Sequence, residues 1–350
     1  MAHLPDQFDI GKHSVGAQHP CFIIAEIAQA HDGSLGAAHA YIDAVATTGA
    51  QAIKFQTHYA DEESTPSEPW RIKFSKQDKT RFDYWKRMEF SDSAWEGLAD
   101  HCKEVGLVFL SSAFSMKAVR LLDKLKMPAW KIASGEISNE ELLKSMAETG
   151  KPILYSTGMS TWEELDTAIG WVKDKCPVGV FQTTTSYPCP PEKLGLNLLQ
   201  TLKDKYTCPI GLSDHSAQIH AGVAAAALGA KMIEIHVVFD KHCFGPDTSS
   251  SLTVSELKQM VEGVRFVETA LAHPIDKNKM AEELKPLRDI FKKSIVINTP
   301  LEKGTLLERT HLAAKKPGTG LCASKMDVVI GRRLTINVEK NHILQEKDFA

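Results

Sequence analysis

His215 and His236 each follow a short apolar run, Pro209–Leu212 and Met232–Ile235 respectively. Between them lie an alanine-rich helical segment, Ala217–Leu228, and Gly229. A strand, a helix and a second parallel strand would carry both imidazoles to one rim, at the carboxyl ends of neighbouring strands, where parallel sheets and barrels build active sites. Two imidazoles placed there can hold a divalent metal and leave positions open to water and substrate. A lone histidine at a strand end is more often a surface or hydrogen-bonded residue, so the reading depends on what closes the other strands.

The other apolar runs also close on polar groups. In chain order these are Glu26, Lys54 with Gln56, Ser111–Ser112, Lys131 with Ser134 and Glu136, Ser156–Thr157, Thr183–Thr185 with Tyr187, and Ser213. Two lysines and several hydroxyls converging on one rim make an anion site, suited to a phosphate or a carboxylate. Glu26 and Glu136 are candidates for proton transfer or for supporting the metal ligands. Any one lysine could equally be a solvated or structural charge; chance is a poor account of the whole set. Residue chemistry alone therefore points to a metal-assisted enzyme acting on a small anionic substrate.

The elements that position these groups follow from a recurring phrase, a helix ending in glycine and then a β-branched run. It occurs at Gly49–Lys54, Gly106–Ser111, Gly150–Ser156 and Gly229–Glu234. Glycine stops a helix in the left-handed conformation, and the run that follows suits a strand buried on both faces. Adding Cys21–Ile27, Ala129–Ala133, Val178–Thr183 and Pro209–Ser213 gives eight strands, with helices expected over 36–48, 93–104, 115–125, 139–149, 160–174, 217–228 and 254–271, and a weaker one over 193–204. Eight such units over about 250 residues are what an α/β protein of the (β/α)8, or TIM, barrel type requires; a doubly wound open sheet is the alternative. Residues 58–92 are too long for a simple connection and carry Trp70, Tyr84, Trp85 and Arg87, which suggests a lid, a subunit contact or plain surface decoration. Composition then divides the chain into a barrel over 1–271, a Lys/Glu-rich helical linker over 272–288, and a small, mostly β domain over 289–350. The β runs expected in that last part are Ser294–Ile297, Gly304–Leu306, Val328–Val329, Thr335–Val338 and His342–Leu344.

A net charge of −3 with interspersed signs argues against nucleic acid as a partner. The polar start and the lack of any long apolar stretch argue against a signal peptide or a membrane span. Seven cysteines without a C-x-x-C pair read as reduced thiols in a cytoplasmic protein.

At Phe22–Ile27, Lys54-Phe55-Gln56, Lys131–Glu136 and Ser156-Thr157-Gly158-Met159 the chain resembles the sialic acid synthase family. Thr185-Ser186-Tyr187-Pro188, Gly211–His215 and Gly245-Pro246-Asp247 extend the match, and the tail is similar to that family's antifreeze-like (SAF) domain. The resemblance implies a transferase that condenses phosphoenolpyruvate with an N-acetylmannosamine-type sugar and water, giving a nine-carbon 2-keto-3-deoxy acid and phosphate. It implies that Lys54, Lys131, Ser134, Ser156 and Ser213 hold the phosphate and carboxylate of phosphoenolpyruvate. His215 and His236 would bind manganese, or else magnesium or cobalt. Gln56, Tyr187 and Asp247 would line the sugar site, with Glu26 and Glu136 at the reacting centre. It also implies a domain-swapped homodimer in which a basic residue of the C-terminal domain meets the sugar's N-acyl group. That position is Lys316, where bacterial members often have arginine; Thr185 stands where an asparagine commonly contacts the phosphate region. A synthase of legionaminic or pseudaminic acid, using a diacetamido-trideoxyhexose, is the nearest rival. A metal-dependent keto-acid aldolase or lyase would use similar groups but release pyruvate, and a non-catalytic ice- or carbohydrate-binding protein is the remaining alternative.

Overall fold

The computed structural model describes residues 4–350. Among them, eight parallel strands run Phe22–Ala28, Ala52–Thr57, Val108–Ala113, Trp130–Ile132, Ile153–Ser156, Val178–Thr183, Ile210–Asp214 and Met232–Val238. Each pairs with the next, and the eighth pairs with both the seventh and the first, so the sheet closes into a TIM-type barrel. Closure excludes the doubly wound alternative. Nearly every strand residue is buried, as expected where side chains fill the barrel on one face and helices cover the other.

The helices that follow the strands are Leu35–Ala46, Asp92–Glu104, Met116–Lys124, Glu140–Ala147, Trp162–Val172, Asn197–Lys205, Ile219–Ala227 and Val254–Ala272. Side chains of Ser34, Ser91, Ser115, Asn139 and Thr161 cap five of them by accepting from a backbone N–H of the first turn. The helix expected over 193–204 starts only at Asn197, because Pro191–Lys193 forms a separate 3-10 turn. After the last barrel helix but one, Gly229 adopts a φ of +80°, the conformation anticipated for the helix–glycine–strand phrase.

An antiparallel hairpin, Gln7–Ile10 with His13–Gly16, precedes the barrel and was not expected from the sequence. Its strands are only four residues long, but Phe8, Ile10 and Val15 are buried. The Phe8 ring comes within 3.1 Å of where a Cβ on Gly179 would stand, so the hairpin packs on the sixth strand. The 58–92 excursion holds two helices, Ala60–Glu63 and Arg81–Met88. Arg87 pins it, with Nη1 at 2.6 Å from Asp32 and Nη2 at 2.8 Å from Asp78.

The chain divides into two compact units after Ala272. In the second unit, helices Lys277–Glu283 and Lys285–Phe291 occupy the stretch expected as a linker and run past residue 288. Strands Ser294–Ile297 and Leu312–Lys315 pair antiparallel over a core that includes Ile295, Leu307, Leu321, Val338 and Leu344. The expected runs around Leu306, Val338 and Ile343 contribute isolated bridges. Val328–Val329 departs from expectation: it lies in a short helix, Met326–Val329, where burial of Val329 overrides the β preference of two valines.

Candidate active site

The barrel's register brings the strand-end groups together. Cα positions of His236, Glu26 and Lys54 are paired across the eighth, first and second strands. Ser112 is paired with Lys131, Thr183 with Ser213, and Ser213 with Glu234. These side chains line a cleft of about 180 Å³, joined by Gln56, Ser134, Ser156, Thr185, Tyr187 and His215.

Two lysines and two carboxylates dominate its floor. Lys54 forms an ion pair with Glu26 and donates to Ser112 Oγ at 3.2 Å. Lys131 donates to Ser156 Oγ and stands 3.3 Å from Glu234 Oε1. Glu234 also accepts from Ser213 Oγ at 3.1 Å, and its other oxygen is 3.9 Å from Lys54. All four charged side chains are almost fully buried. Burial pushes the Glu26 carboxyl above its usual range although Lys54 opposes this. At Glu234 burial acts in the same direction, but Lys131 and Lys54 outweigh it and hold the group low. Burial thus favours the protonated form of Glu26, while the two lysines favour the charged form of Glu234.

The histidines form the cleft's other wall, with ring centroids 5.4 Å apart. His215 Nδ1 lies 2.8 Å from the Thr184 carbonyl, which can only accept, so Nδ1 carries the hydrogen and the Nε2 lone pair is left free. Burial, reinforced by His236, lowers its pKa to about 4, and burial lowers that of His236 as well. Neutral imidazoles with a free lone pair suit a divalent ion. Among the described residues no group of three or more His, Cys, Asp or Glu side chains is arranged to hold a metal, so an ion at this pair would take its remaining ligands from water and substrate.

Tyr187 joins this cleft to a second one. Its ring stacks on His215 at 4.1 Å, and the Arg71 guanidinium carbon lies 4.2 Å from its centroid. The second compartment, about 220 Å³, shares Gln56, Thr185 and Tyr187 and adds Asp247, Arg71, Arg81, Trp70, Phe74, Tyr84 and Trp85. The long excursion is therefore a wall of the site, not decoration. Arg71 Nη2 binds Asp247 Oδ1 at 2.6 Å and so closes the loop onto the Gly245-Pro246-Asp247 turn.

Of the anticipated residues, Glu26, Lys54, Gln56, Lys131, Ser134, Ser156, Thr185, Tyr187, Ser213, His215 and His236 line the first cleft, and Asp247 lines the second. Glu136 does not line either one: it sits half-buried on the Ser134–Glu136 turn, and its carboxylate accepts from Asn139 Nδ2 at 3.0 Å. Lys316 belongs to the C-terminal unit, where its ammonium lies 5.0 Å from the Phe291 ring centroid. Two residues escaped the sequence reading, Glu234 and Arg71; Ser112 was expected at its strand end, and its bond to Lys54 is new. Glu234 had a signal, since an acid inside an apolar strand and two residues before His236 must share that histidine's face.

Comparison with known proteins agrees with this geometry. The chain is 32% identical over 331 residues to the N,N'-diacetyllegionaminic acid synthase of Campylobacter jejuni, covering 93% of this chain and 98% of that one. It is 33% identical over 340 residues to human N-acetylneuraminate-9-phosphate synthase, covering 95% and 94%. The crystal structure of the N-acetylneuraminic acid synthetase of Leptospira borgpetersenii serovar Hardjo-bovis superposes with a TM-score of 0.72 at 29% identity, over 82% of this chain and 99% of that one. The SAF domain model matches residues 292–350, and the NeuB family model matches residues 41–276, which include all but one of the lysines, carboxylates and imidazoles of the cleft. The exception, Glu26, lies on the strand that closes the same barrel, and the chain belongs to the NeuB family.

Proposed function

We propose that this protein condenses phosphoenolpyruvate with an N-acetylmannosamine-type amino sugar and water, releasing phosphate and a nine-carbon 2-keto-3-deoxy acid. The observation that carries the reading is the convergence of Lys54 and Lys131 on one buried cleft, each already bonded to a serine hydroxyl. Ammonium groups and hydroxyls in a water-poor cleft suit the phosphate and carboxylate of phosphoenolpyruvate. Names of relatives support the same class of reaction, sialic acid-type synthesis.

In this reading a carbon–carbon bond forms between C3 of phosphoenolpyruvate and the acceptor's open-chain aldehyde carbon. The aldehyde oxygen takes a proton, water adds at C2, and the C2–O bond to phosphate breaks. Lys54 and Lys131, with Ser112, Ser156 and Ser213, hold the anion and the departing phosphate. Glu26, raised by burial, delivers or takes the proton. Glu136 is a second candidate for proton transfer, and normal turnover in Glu136→Gln would remove it. His215 and His236 would hold a divalent ion, manganese before magnesium or cobalt, which supplies Lewis-acid polarisation of the aldehyde. Gln56, Tyr187 and Asp247 line the acceptor's side.

One observation favours a second acceptor. Trp70, Phe74, Tyr84 and Trp85 give the acceptor compartment an aromatic wall, which suits the methyl and deoxy positions of a diacetamido-trideoxyhexose of the legionaminic or pseudaminic type. The proposal includes a domain-swapped homodimer in the cytoplasm. An exposed apolar strip, Leu284, Leu287, Ile290 and Phe291, supports self-association, and no helix among the described residues is long and apolar enough to cross a membrane.

The test is phosphate release from phosphoenolpyruvate with manganese and, in turn, N-acetylmannosamine, its 6-phosphate and a diacetamido-trideoxyhexose. Release dependent on one of these sugars is expected. Pyruvate formation from a keto acid without phosphate would make the protein an aldolase instead.

A further inference from the structure

His58 immediately follows the second strand, one residue beyond Thr57 and two beyond Gln56. Its side chain is buried, although it opens the polar excursion. The ring is stacked on Trp85 at 4.2 Å and 20° and on Phe114 at 4.6 Å and 9°. Two rings that close and that parallel cannot share a face, so His58 is held between them and cannot tilt. Its nitrogens are both occupied. Nδ1 meets the Glu63 carboxylate, itself 8% exposed, and Nε2 lies 3.2 Å from Gln56 Oε1.

The direction of these bonds is set by what each partner can do. Gln56 Nε2 donates to Glu26 Oε1 at 3.2 Å, and the other Glu26 oxygen is taken by the Lys54 ion pair. The amide oxygen must therefore point the other way, where it receives Gln29 Nε2 at 3.3 Å and His58 Nε2. His58 Nε2 must then carry a hydrogen. The Nδ1 edge faces the Glu63 carboxylate.

We propose that His58 and Glu63 are a positioning pair: the clamped imidazole fixes the Gln56 amide with its NH2 on Glu26, and so holds the proton-transferring carboxylate in place. The proposal rests on the condensation reading given above. Without the His58 donor the amide oxygen keeps only the bond from Gln29, and the amide can more easily turn its oxygen towards Glu26, a repulsive arrangement. Glu26 would then keep Lys54 but lose its second fixed bond. Phosphoenolpyruvate is held by the lysines and serines, so its binding does not depend on His58. The acceptor half-reaction does.

The test compares the full-length wild type with His58→Leu and His58→Gln. A glutamine amide can place an N–H donor where ring Nε2 stands, and a leucine cannot. We expect His58→Leu to lower kcat by about 10- to 100-fold, the usual effect of removing a group that orients a catalytic one, with KM for phosphoenolpyruvate unchanged. His58→Gln should recover most of the loss. Wild-type turnover in His58→Leu, or equal losses in both variants, would overturn the proposal. Nitrogen-15 spectra of labelled histidine provide a readout independent of turnover. Nε2 of His58 is expected to be protonated, and a bare Nε2 would overturn the pair. If the wild type released no phosphate with any acceptor, the condensation reading would fall, and the spectra would still decide the hydrogen-bond assignment.

Discussion

Lys131 and Glu234 reach across the barrel to each other, Nζ to Oε1 at 3.3 Å, from the fourth and eighth strands of a closed eight-stranded sheet. Strands four apart in such a barrel face one another, so this ion pair spans the interior. Lys54 from the second strand joins it at 3.9 Å. With Glu26 on Lys54, the floor of the site is thus one connected set of charges, held by four different strands before any anion arrives.

Removing the Glu234 charge should expose that dependence. Glu234→Gln leaves two buried ammonium groups with Glu26 as their sole carboxylate, and breaking a buried ion pair costs about 3–5 kcal/mol. The expected fall in Tm is on the order of 10 °C. Millimolar phosphate should restore more of the Tm in the variant than it adds to the wild type, because the anion replaces the missing charge. Calorimetry with and without phosphate measures this, and an equal phosphate effect in both proteins would argue against the lysines as the anion site.

Substituting Lys131 by glutamine keeps a donor and removes the charge. A hydrogen bond to a charged group contributes about 1.5–3 kcal/mol, so kcat/KM for phosphoenolpyruvate should fall by roughly 10- to 100-fold. Steady-state kinetics at saturating acceptor give this number, and the KM of the acceptor should move little.

Arg71→Ala should show the opposite pattern. Arg71 holds Asp247 at 2.6 Å and lies over Tyr187, both in the compartment proposed for the acceptor. Its loss should raise the acceptor KM about tenfold, the scale of one oriented contact, and leave that of phosphoenolpyruvate alone. A change in the phosphoenolpyruvate KM instead would mean that the two compartments are assigned the wrong way round.

His31 predicts an acid-sensitive fold. Its ring is buried, Nδ1 accepts from the Gly33 N–H at 3.1 Å, and burial, with His58 and Arg87 acting in the same direction, lowers its pKa to about 4. The unfolded chain binds a proton at this residue near the ordinary value of 6.5, and the folded protein does so only near 4. Unfolding therefore takes up a proton between these values. The stability tied to His31 is fully present above pH 6.5 and is lost as pH falls towards 4, by about 3 kcal/mol at most. Urea midpoints measured from pH 7 to pH 4.5 should decline less steeply in His31→Gln than in the wild type.

Much of the site was readable because Lys54, Lys131, Ser213 and His236 each sit in or directly after an apolar run, and a parallel strand's end is where barrel chemistry lies. Glu234 was harder: it lies inside such a run, where an acid reads as an interruption, and only its pairing with lysines on distant strands explains it. Arg71 could not be singled out, because which residues of a long excursion face the cleft depends on contacts such as Arg87 with Asp32, far apart in the chain. The hairpin around Phe8 was missed for a related reason. Strands of four residues carry too little alternation to stand out, and burial against the barrel supplies what local preference lacks.

The central claim is tested most directly by product stoichiometry with the metal under control. Protein stripped with a chelator and resupplied with manganese should form one phosphate per keto acid, only when phosphoenolpyruvate and an amino-sugar acceptor are both present, and should form neither before manganese is returned. Pyruvate without phosphate, or undiminished turnover in the stripped protein, would contradict the account.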